Sequence, residues 1–183
     1  GLKNVSLQLQ WKHQFEFAGF YAAQKMGFYR DAGLKVEIRE RMIPEDPVRQ
    51  VLLGNATFGT AFSSVIKERM KGAPVMLLAN YFKRSPLAIV ARPEIDTPAK
   101  LKGKRVMGEK NALFSANFLK MFDQHGVTPE DLTLVSYNER GVGDFVDGKV
   151  DAMNIFLTNQ RFWLDEKKVK YNVLDPTGYG IPF

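Results

Sequence analysis

Residues 5–40 read VSLQLQWKHQFEFAGFYAAQKMGFYRDAGLKVEIRE, and three patterns follow one another within them. Val5, Leu7 and Leu9 alternate with Ser6 and Gln8, the period of a half-buried strand. Residues 11–16 form a loop crowded with aromatic and polar side chains. Residues 18–29 predict a helix, with Tyr21, Ala22, Lys25 and Tyr29 at helical spacing and Phe20, Ala23 and Gly27 beside them. Gly33 stops that helix, and residues 34–38 alternate again. The sum is a βαβ unit whose first loop opens at the carboxyl end of a strand, which is where open α/β sheets bind ligands.

Outward from this unit the alternation of elements continues. Asp46-Pro47 predicts a helix entry, with Asp as N-cap and Pro at the first position. That helix carries Val48, Val51 and Leu52 and stops at Gly54-Asn55. Residues 56–61 (ATFGTA) read as a short buried strand, and Ser63 or Ser64 starts a helix with Val65, Ile66 and Met70. Residues 74–80 (PVMLLAN) are continuously apolar, the pattern of a strand buried on both faces. Residues 85–91 form another apolar strand, closed by Arg92-Pro93. A fresh α/β series begins at residues 104–108. In it, a helix over 112–125 carries a stripe of Leu113, Phe114, Phe118, Met121 and Phe122, and a one-turn helix starts at residues 128–131. Strands are predicted at 132–136, 151–155 and 171–174, and helices at 144–147 and 160–167. Slid against itself, the chain lays residues 54–62 over 148–156. Both segments read as helix end, glycine turn, short strand, aromatic residue and next helix. This suggests two α/β lobes of like construction, with a seam near residues 85–92.

The totals bound the class. A chain of 183 residues, 45% hydrophobic and 25% charged, can form one large domain or two small lobes. It has no apolar run long enough to span a membrane, and no signal peptide is visible ahead of the first strand, where Gly1 suggests a trimmed start. The absence of cysteine excludes disulfides, thiolate metal sites and a Cys nucleophile, and fits cytoplasm and periplasm alike. The formal charge is +6, but Lys and Arg are scattered among acids and the densest cluster, residues 100–105, is short. A nucleic-acid partner is therefore not expected.

Catalytic constellations are mostly excluded. The two histidines, His13 and His125, make neither an HExxH pair nor a zinc set. There is no GxSxG elbow and no Walker A loop. Gly141-Val142-Gly143 begins a dinucleotide fingerprint, but its third glycine would fall at Val146. Glu37, Glu40 and Glu109 read as solvated acids. No enzyme signature, cofactor or metal is expected. What remains is a set of aromatic and amide-rich strand tips. Trp11, His13, Phe15 and Phe17 follow the first strand, and Phe62, Ser63 and Ser64 the third. Asn80, Tyr81 and Phe82 follow the fourth. Phe114 and Ser115 lie beyond Met107, and Asn154, Phe156, Thr158 and Asn159 lie at and beyond a later strand. On parallel strands these tips would converge on a crevice suited to a small planar or polar molecule. Core packing is the competing role for Phe17, Phe62, Phe114 and Phe156. His13 reads as a loop residue, and Ser63-Ser64 as a helix cap by default.

Residues 7–38 (LQLQWKHQFEFAGFYAAQKMGFYRDAGLKVEI) resemble the opening of the NMT1/THI5-like family, in its SsuA/ThiY-like branch of type II periplasmic binding proteins. Residues 54–59 (GNATFG) with the Ser-Ser start behind them support the likeness, as do residues 71–75 (KGAPV), 101–106 (LKGKRV) and 147–153 (DGKVDAM). The resemblance implies an α/β, two-lobed type II periplasmic binding protein fold. Each lobe would be a mostly parallel sheet flanked by helices, with a ligand cleft between the lobes. The first lobe would span residues 1–88, the second 89–174, and residues 175–183 would return towards the first. Family members normally continue with a helix that completes the first lobe. Relatives serve ABC importers for thiamine pyrimidine precursors, riboflavin and alkylsulfonates, or are extracytoplasmic input domains of histidine kinases and diguanylate cyclases. The implied partners are thus a small-molecule ligand and either transporter membrane subunits or a signalling protein, in the periplasm. By the same resemblance Trp11 would stack on the ligand, Ser63 and Ser64 would face it from the first lobe, and residues 154–159 from the second. Eukaryotic pyrimidine synthases of the family use a Lys and a His after the third strand, plus a Cys-rich segment. Residues 60–66 (TAFSSVI) hold neither, and the chain has no cysteine. The expectation is a solute-binding domain without chemistry of its own; a pyrimidine-biosynthesis enzyme and an interaction or dimerisation module are the rivals.

Overall fold

The computed structural model describes residues 1–42 and 44–181. Contacts divide the chain into two units, Gly1–Leu78 and Ala79–Phe183. This boundary falls earlier than the expected end of the first lobe at residue 88, because Leu87–Ala91 is hydrogen-bonded on both sides within the second unit's sheet.

The first unit runs β1 (Lys3–Gln8), α1 (Ala18–Lys25), α2 (Phe28–Asp31), β2 (Leu34–Arg39), α3 (Pro47–Leu52), β3 (Phe58–Gly59) and α4 (Ser64–Met70). Its sheet has the order β2-β1-β3, and β1 is parallel to both neighbours. Alternation assigns the faces. Leu7 and Leu9 pack with Phe17 into a buried cluster, against which Trp11, Phe20, Tyr21, Val36 and Ile38 rest. On the opposite face Ser6 and Thr57 exchange two amide-to-hydroxyl hydrogen bonds of 3.1 Å, which prolong the β1–β3 pairing by side chains. Asp46 caps α3 as expected, its carboxylate accepting from the Val48 amide at 2.8 Å and the Arg49 amide at 3.3 Å.

Three expectations are corrected in this unit. The helix predicted over 18–29 is two helices, broken where Gly27 takes φ +84°, a conformation glycine adopts without strain. The strand predicted over 56–61 pairs only through Phe58 and Gly59, and Phe58 remains 37% exposed. Residues 74–80 form no strand, and Met76, Leu77 and Leu78 are 82%, 64% and 67% exposed. A strand needs a hydrogen-bonded neighbour as well as apolar side chains, and among the described residues this segment has no sheet partner.

The second unit runs β4 (Leu87–Ala91), β5 (Arg105–Met107), α5 (Lys110–Leu113), α6 (Ala116–Gln124), β6 (Thr133–Val135), α7 (Gly143–Val146), β7 (Ala152–Phe156), α8 (Gln160–Glu166) and β8 (Asn172–Leu174). Its sheet is ordered β6-β5-β7-β4-β8. β5 is parallel to β6 and β7, whereas β4 is antiparallel to β7 and β8. Every residue of β4 is buried, as its unbroken apolar run predicts. Phe118, Met121 and Phe122 of α6 fill the core with Ile89, Met107, Phe145, Met153 and Leu164. The helix predicted over 112–125 is interrupted at Phe114-Ser115, where Ser115 is extended and stands at the N-cap position of α6 without a side-chain capping hydrogen bond. Arg105 and Asp151 clamp the starts of β5 and β7, with guanidinium and amide both donating to the carboxylate at 2.8 Å.

The helix stops at Gly54 and Gly148 share their hydrogen-bond pattern, which also ends helices at Gly72 and Gly126. Gly54 and Gly148 both adopt left-handed φ, +74° and +76°. The Gly54 amide donates to Val51 and the next amide to Gln50; the Gly148 amide donates to Phe145 and the next to Asp144. These are two copies of one Schellman-type helix stop, each leading into a strand.

Candidate functional site

In the first unit the loop from β1 to α1 carries the expected residues Trp11, His13 and Phe15. β1 is the central strand, so this loop starts where all three parallel strands end. Gln10 is held there from both sides: its amide donates to the Thr60 hydroxyl at 2.8 Å, and its carbonyl accepts from Arg41 at 3.5 Å. Its side-chain oxygen Oε1 is buried without a hydrogen-bond partner. Trp11 is half-buried, with its ring against the Leu7–Leu9–Phe17 cluster. The His13 amide donates to the Glu40 carboxylate at 3.1 Å, and its ring Nδ1 lies 3.0 Å from the Tyr21 hydroxyl. Phe15 is 89% exposed.

Glu16, Tyr21 and Glu40 join this cluster and were not among the expected residues. Gln14 donates to Glu16 Oε1 at 2.8 Å, while Oε2 is shut away from water with no hydrogen-bond partner. Burial pushes the Glu16 carboxyl up to about 7, against an ordinary 4.5. Burial also raises the Tyr21 hydroxyl, and the Glu16 and Glu40 carboxylates add to that rise. Phe62 is half-buried and Ser63 exposed at the start of α4. Ser63 makes no side-chain capping hydrogen bond, so the default cap reading does not apply.

In the second unit Phe82 meets Phe156 edge to face, with ring centroids 6.3 Å apart, and Tyr81 stacks obliquely on Phe82 at 4.8 Å. Asn80, Tyr81 and Phe82 were expected to follow a strand; they precede β4 instead. Because β4 is antiparallel, Leu87 sits opposite Phe156 at the carboxyl end of β7, so the residues just before β4 arrive there. Thr158 is exposed and Asn159 half-buried at the entry to α8. Gln160 folds back so that its side-chain oxygen accepts from the Phe156 amide at 2.9 Å. Asn154 is only 2% exposed and donates to the Ala88 carbonyl at 3.1 Å, so its amide ties β7 to β4. Phe114 is half-buried between α5 and α6. Glu109 and Tyr137 follow β5 and β6 and were missed; burial, with the Glu109 carboxylate nearby, holds the Tyr137 hydroxyl protonated. Their one sequence signal was position, directly beyond strands.

An open groove on the polar face of the first sheet is lined by Asn4, Ser6, Lys35, Glu37, Arg39 and Thr57, among others. It contains none of the expected residues. Arg39 there is already paired with Glu37 and with the Asn55 carbonyl. Among the described residues no group of three or more His, Cys, Asp or Glu could hold a metal ion, and no helix is long and apolar enough to cross a membrane.

Comparison with known proteins gives this geometry a context. The chain is 26% identical to the formylaminopyrimidine-binding protein of Halalkalibacterium halodurans over 187 aligned residues, covering 99% of this chain and 56% of that protein. It is 24% identical to the riboflavin-binding protein RibY of Chloroflexus aurantiacus, covering 94% and 51%. A 105-residue stretch, 56% of this chain and 33% of the relative, is 30% identical to the 4-amino-5-hydroxymethyl-2-methylpyrimidine phosphate synthase of Legionella pneumophila. The chain thus spans about half the length of the first two relatives. The fold matches a protein of Bordetella bronchiseptica RB50 with a TM-score of 0.76 at 19% identity, over 93% of this chain and 55% of that one. It also matches the alkanesulfonate-binding protein SsuA of Xanthomonas axonopodis pv. citri, bound to MOPS, with a TM-score of 0.70 at 17% identity, over 94% and 60%. The architecture is therefore that of the type II periplasmic binding proteins. The NMT1/THI5-like family matches residues 14–183, nearly the whole chain, and the protein belongs to that family.

Proposed function

We propose that this chain is part of an extracytoplasmic solute-binding protein that captures a small heteroaromatic or anionic molecule without transforming it. The observation that carries this reading is the family match over residues 14–183, joined to binding proteins for a pyrimidine and a flavin among the relatives. The strand-end loops support it. Trp11 and His13 in the first unit, and Phe82 and Phe156 in the second, offer flat faces beside polar groups at the carboxyl ends of parallel strands. We assign solute contacts in the first unit to Trp11 and His13, with Phe15, Phe62, Ser63 and Ser64 as further candidates there, and in the second unit to Phe82 and Phe156, with Phe114, Thr158 and Asn159 as further candidates there. Asn154 serves the sheet. The partner is the membrane subunit of an ABC importer or a sensor kinase or cyclase, and the compartment is the periplasm.

Native mass spectrometry of the purified protein, then thermal shift against formylaminopyrimidine, riboflavin and MOPS, tests this. One compound should raise Tm saturably; at about 100 times its Kd it should add roughly 2.7 kcal/mol. Trp11→Ala should lose that stabilisation, and unchanged affinity would sink the site assignment. The synthase relative favours a second reading, pyrimidine biosynthesis. Residues 60–66 lack Lys and His and the chain lacks cysteine, so incubation with candidate precursors should leave no modified product.

A further inference from the structure

The turn Phe15–Phe17 is ordered against the polarity of its residues. Phe17 is fully buried, Phe15 is 89% exposed, and between them Glu16 keeps Oε2 away from water without a partner. The bond that draws the carboxyl inward is a local one, from Gln14 Nε2 to Oε1. An ionised carboxylate in such surroundings is far costlier than a neutral carboxyl. A large apolar ring outside and an acid inside can change places by rotation of this three-residue turn.

We propose that Glu16 is a positioning residue that acts in its neutral form. Protonated, it keeps the turn as described and seats Trp11 and His13. Ionised, it swings into water and Phe15 replaces it, so that the ligand loop has two arrangements. The switch itself is independent of any solute; its consequence for affinity rests on the solute-binding reading above.

The sign follows from linkage. Burial raises the Glu16 carboxyl from 4.5 to about 7 in the closed turn, so the closed turn binds the proton more tightly. Its advantage is full below 4.5 and is lost as pH rises to about 7, a change of about 300-fold in the closed-to-open ratio. The groups facing the turn are Tyr21 on α1, Glu40 beyond β2 and His13 in the loop. Burial, the largest cause, raises the Tyr21 hydroxyl and keeps it protonated, and substitutions at His13 and Glu40 separate those two residues from Glu16.

Trp11 reports the switch once the second tryptophan is removed by W163F. Its fluorescence and iodide quenching are followed from pH about 4 to about 8, with far-UV circular dichroism as the control for unfolding. One transition is expected between pH 4.5 and about 7. It should vanish in W163F/E16Q, which keeps the low-pH signal throughout, and persist in W163F/H13Q and W163F/E40Q. A transition that survives E16Q, or none in W163F, overturns the proposal. Affinity for formylaminopyrimidine, riboflavin or MOPS should differ between pH 5 and pH 8 (about the two ends of the window) in W163F and not in its E16Q derivative. If none of the three binds, the solute-binding reading fails while the fluorescence still decides the switch.

Discussion

At the residue scale the strongest predictions concern side chains with one identifiable duty. Asp46 satisfies two amides at the start of α3, so Asp46→Ala should cost about 1 kcal/mol in urea denaturation. Gly108 has no room to grow: a Cβ there would lie 3.0 Å from the Cβ of Asn154. Gly108→Ala should destabilise the second unit by about 1–3 kcal/mol. Asp151 is held below the usual carboxylate range by hydrogen bonds from Arg105. Its contribution is present above the ordinary 3.8 and is lost as pH falls through the lowered value. Asp151→Asn should therefore be less stable than wild type at neutral pH, with the gap closing in acid. The Asp46 cap was legible because its chemistry is local to two residues. Glu16 was not, since nothing within WKHQFEF says that an acid turns inward while its neighbouring phenylalanine turns out. The turn is fixed by burial of Phe17 against Leu7 and Leu9, which lie outside that stretch, and the Gln14 bond then draws the Glu16 carboxyl inward.

Among the elements, those with one apolar face are the most legible in the sequence. Phe118, Met121 and Phe122 lie on one stripe of α6 and are buried together. Phe122→Ala should cost about 3–5 kcal/mol, measured as a fall in denaturation midpoint at constant slope. Breaks in helices were less visible. Gly27 and Ser115 divide apolar stripes that continue across them, because periodicity registers which face is buried and not where the backbone turns. The likeness between residues 54–62 and 148–156 comes from a helix stop that precedes both β3 and β7 and that also recurs at Gly72 and Gly126, so its legibility reflects a common way of ending a helix. Residues 74–80 show the opposite failure. Their apolar run satisfies a side-chain pattern, while the backbone pairing that makes a strand depends on a neighbour the pattern does not name. The tip residues Tyr81 and Phe82 were consequently attached to the wrong strand, although their aromatic contact with Phe156 belongs to the expected set.

At the scale of the whole molecule, two units with separate sheets are joined through residues that carry no regular structure between α4 and β4. Lys83 and Arg84 are exposed there. Limited trypsin digestion should cut first at this pair and release a resistant fragment that begins near Ser85. An earlier cut inside the second unit would contradict the division. The same connecting stretch presents Met76, Leu77 and Leu78 side by side to water, with no charge between Pro74 and Asn80. Short uncharged apolar segments of this kind recruit one another between molecules. Light scattering should therefore rise with concentration while the protein remains folded, and Leu77→Lys should suppress it. On this ground the storage life of the protein in solution should shorten as its concentration rises even well below the melting temperature, and timed light scattering of stored samples checks it.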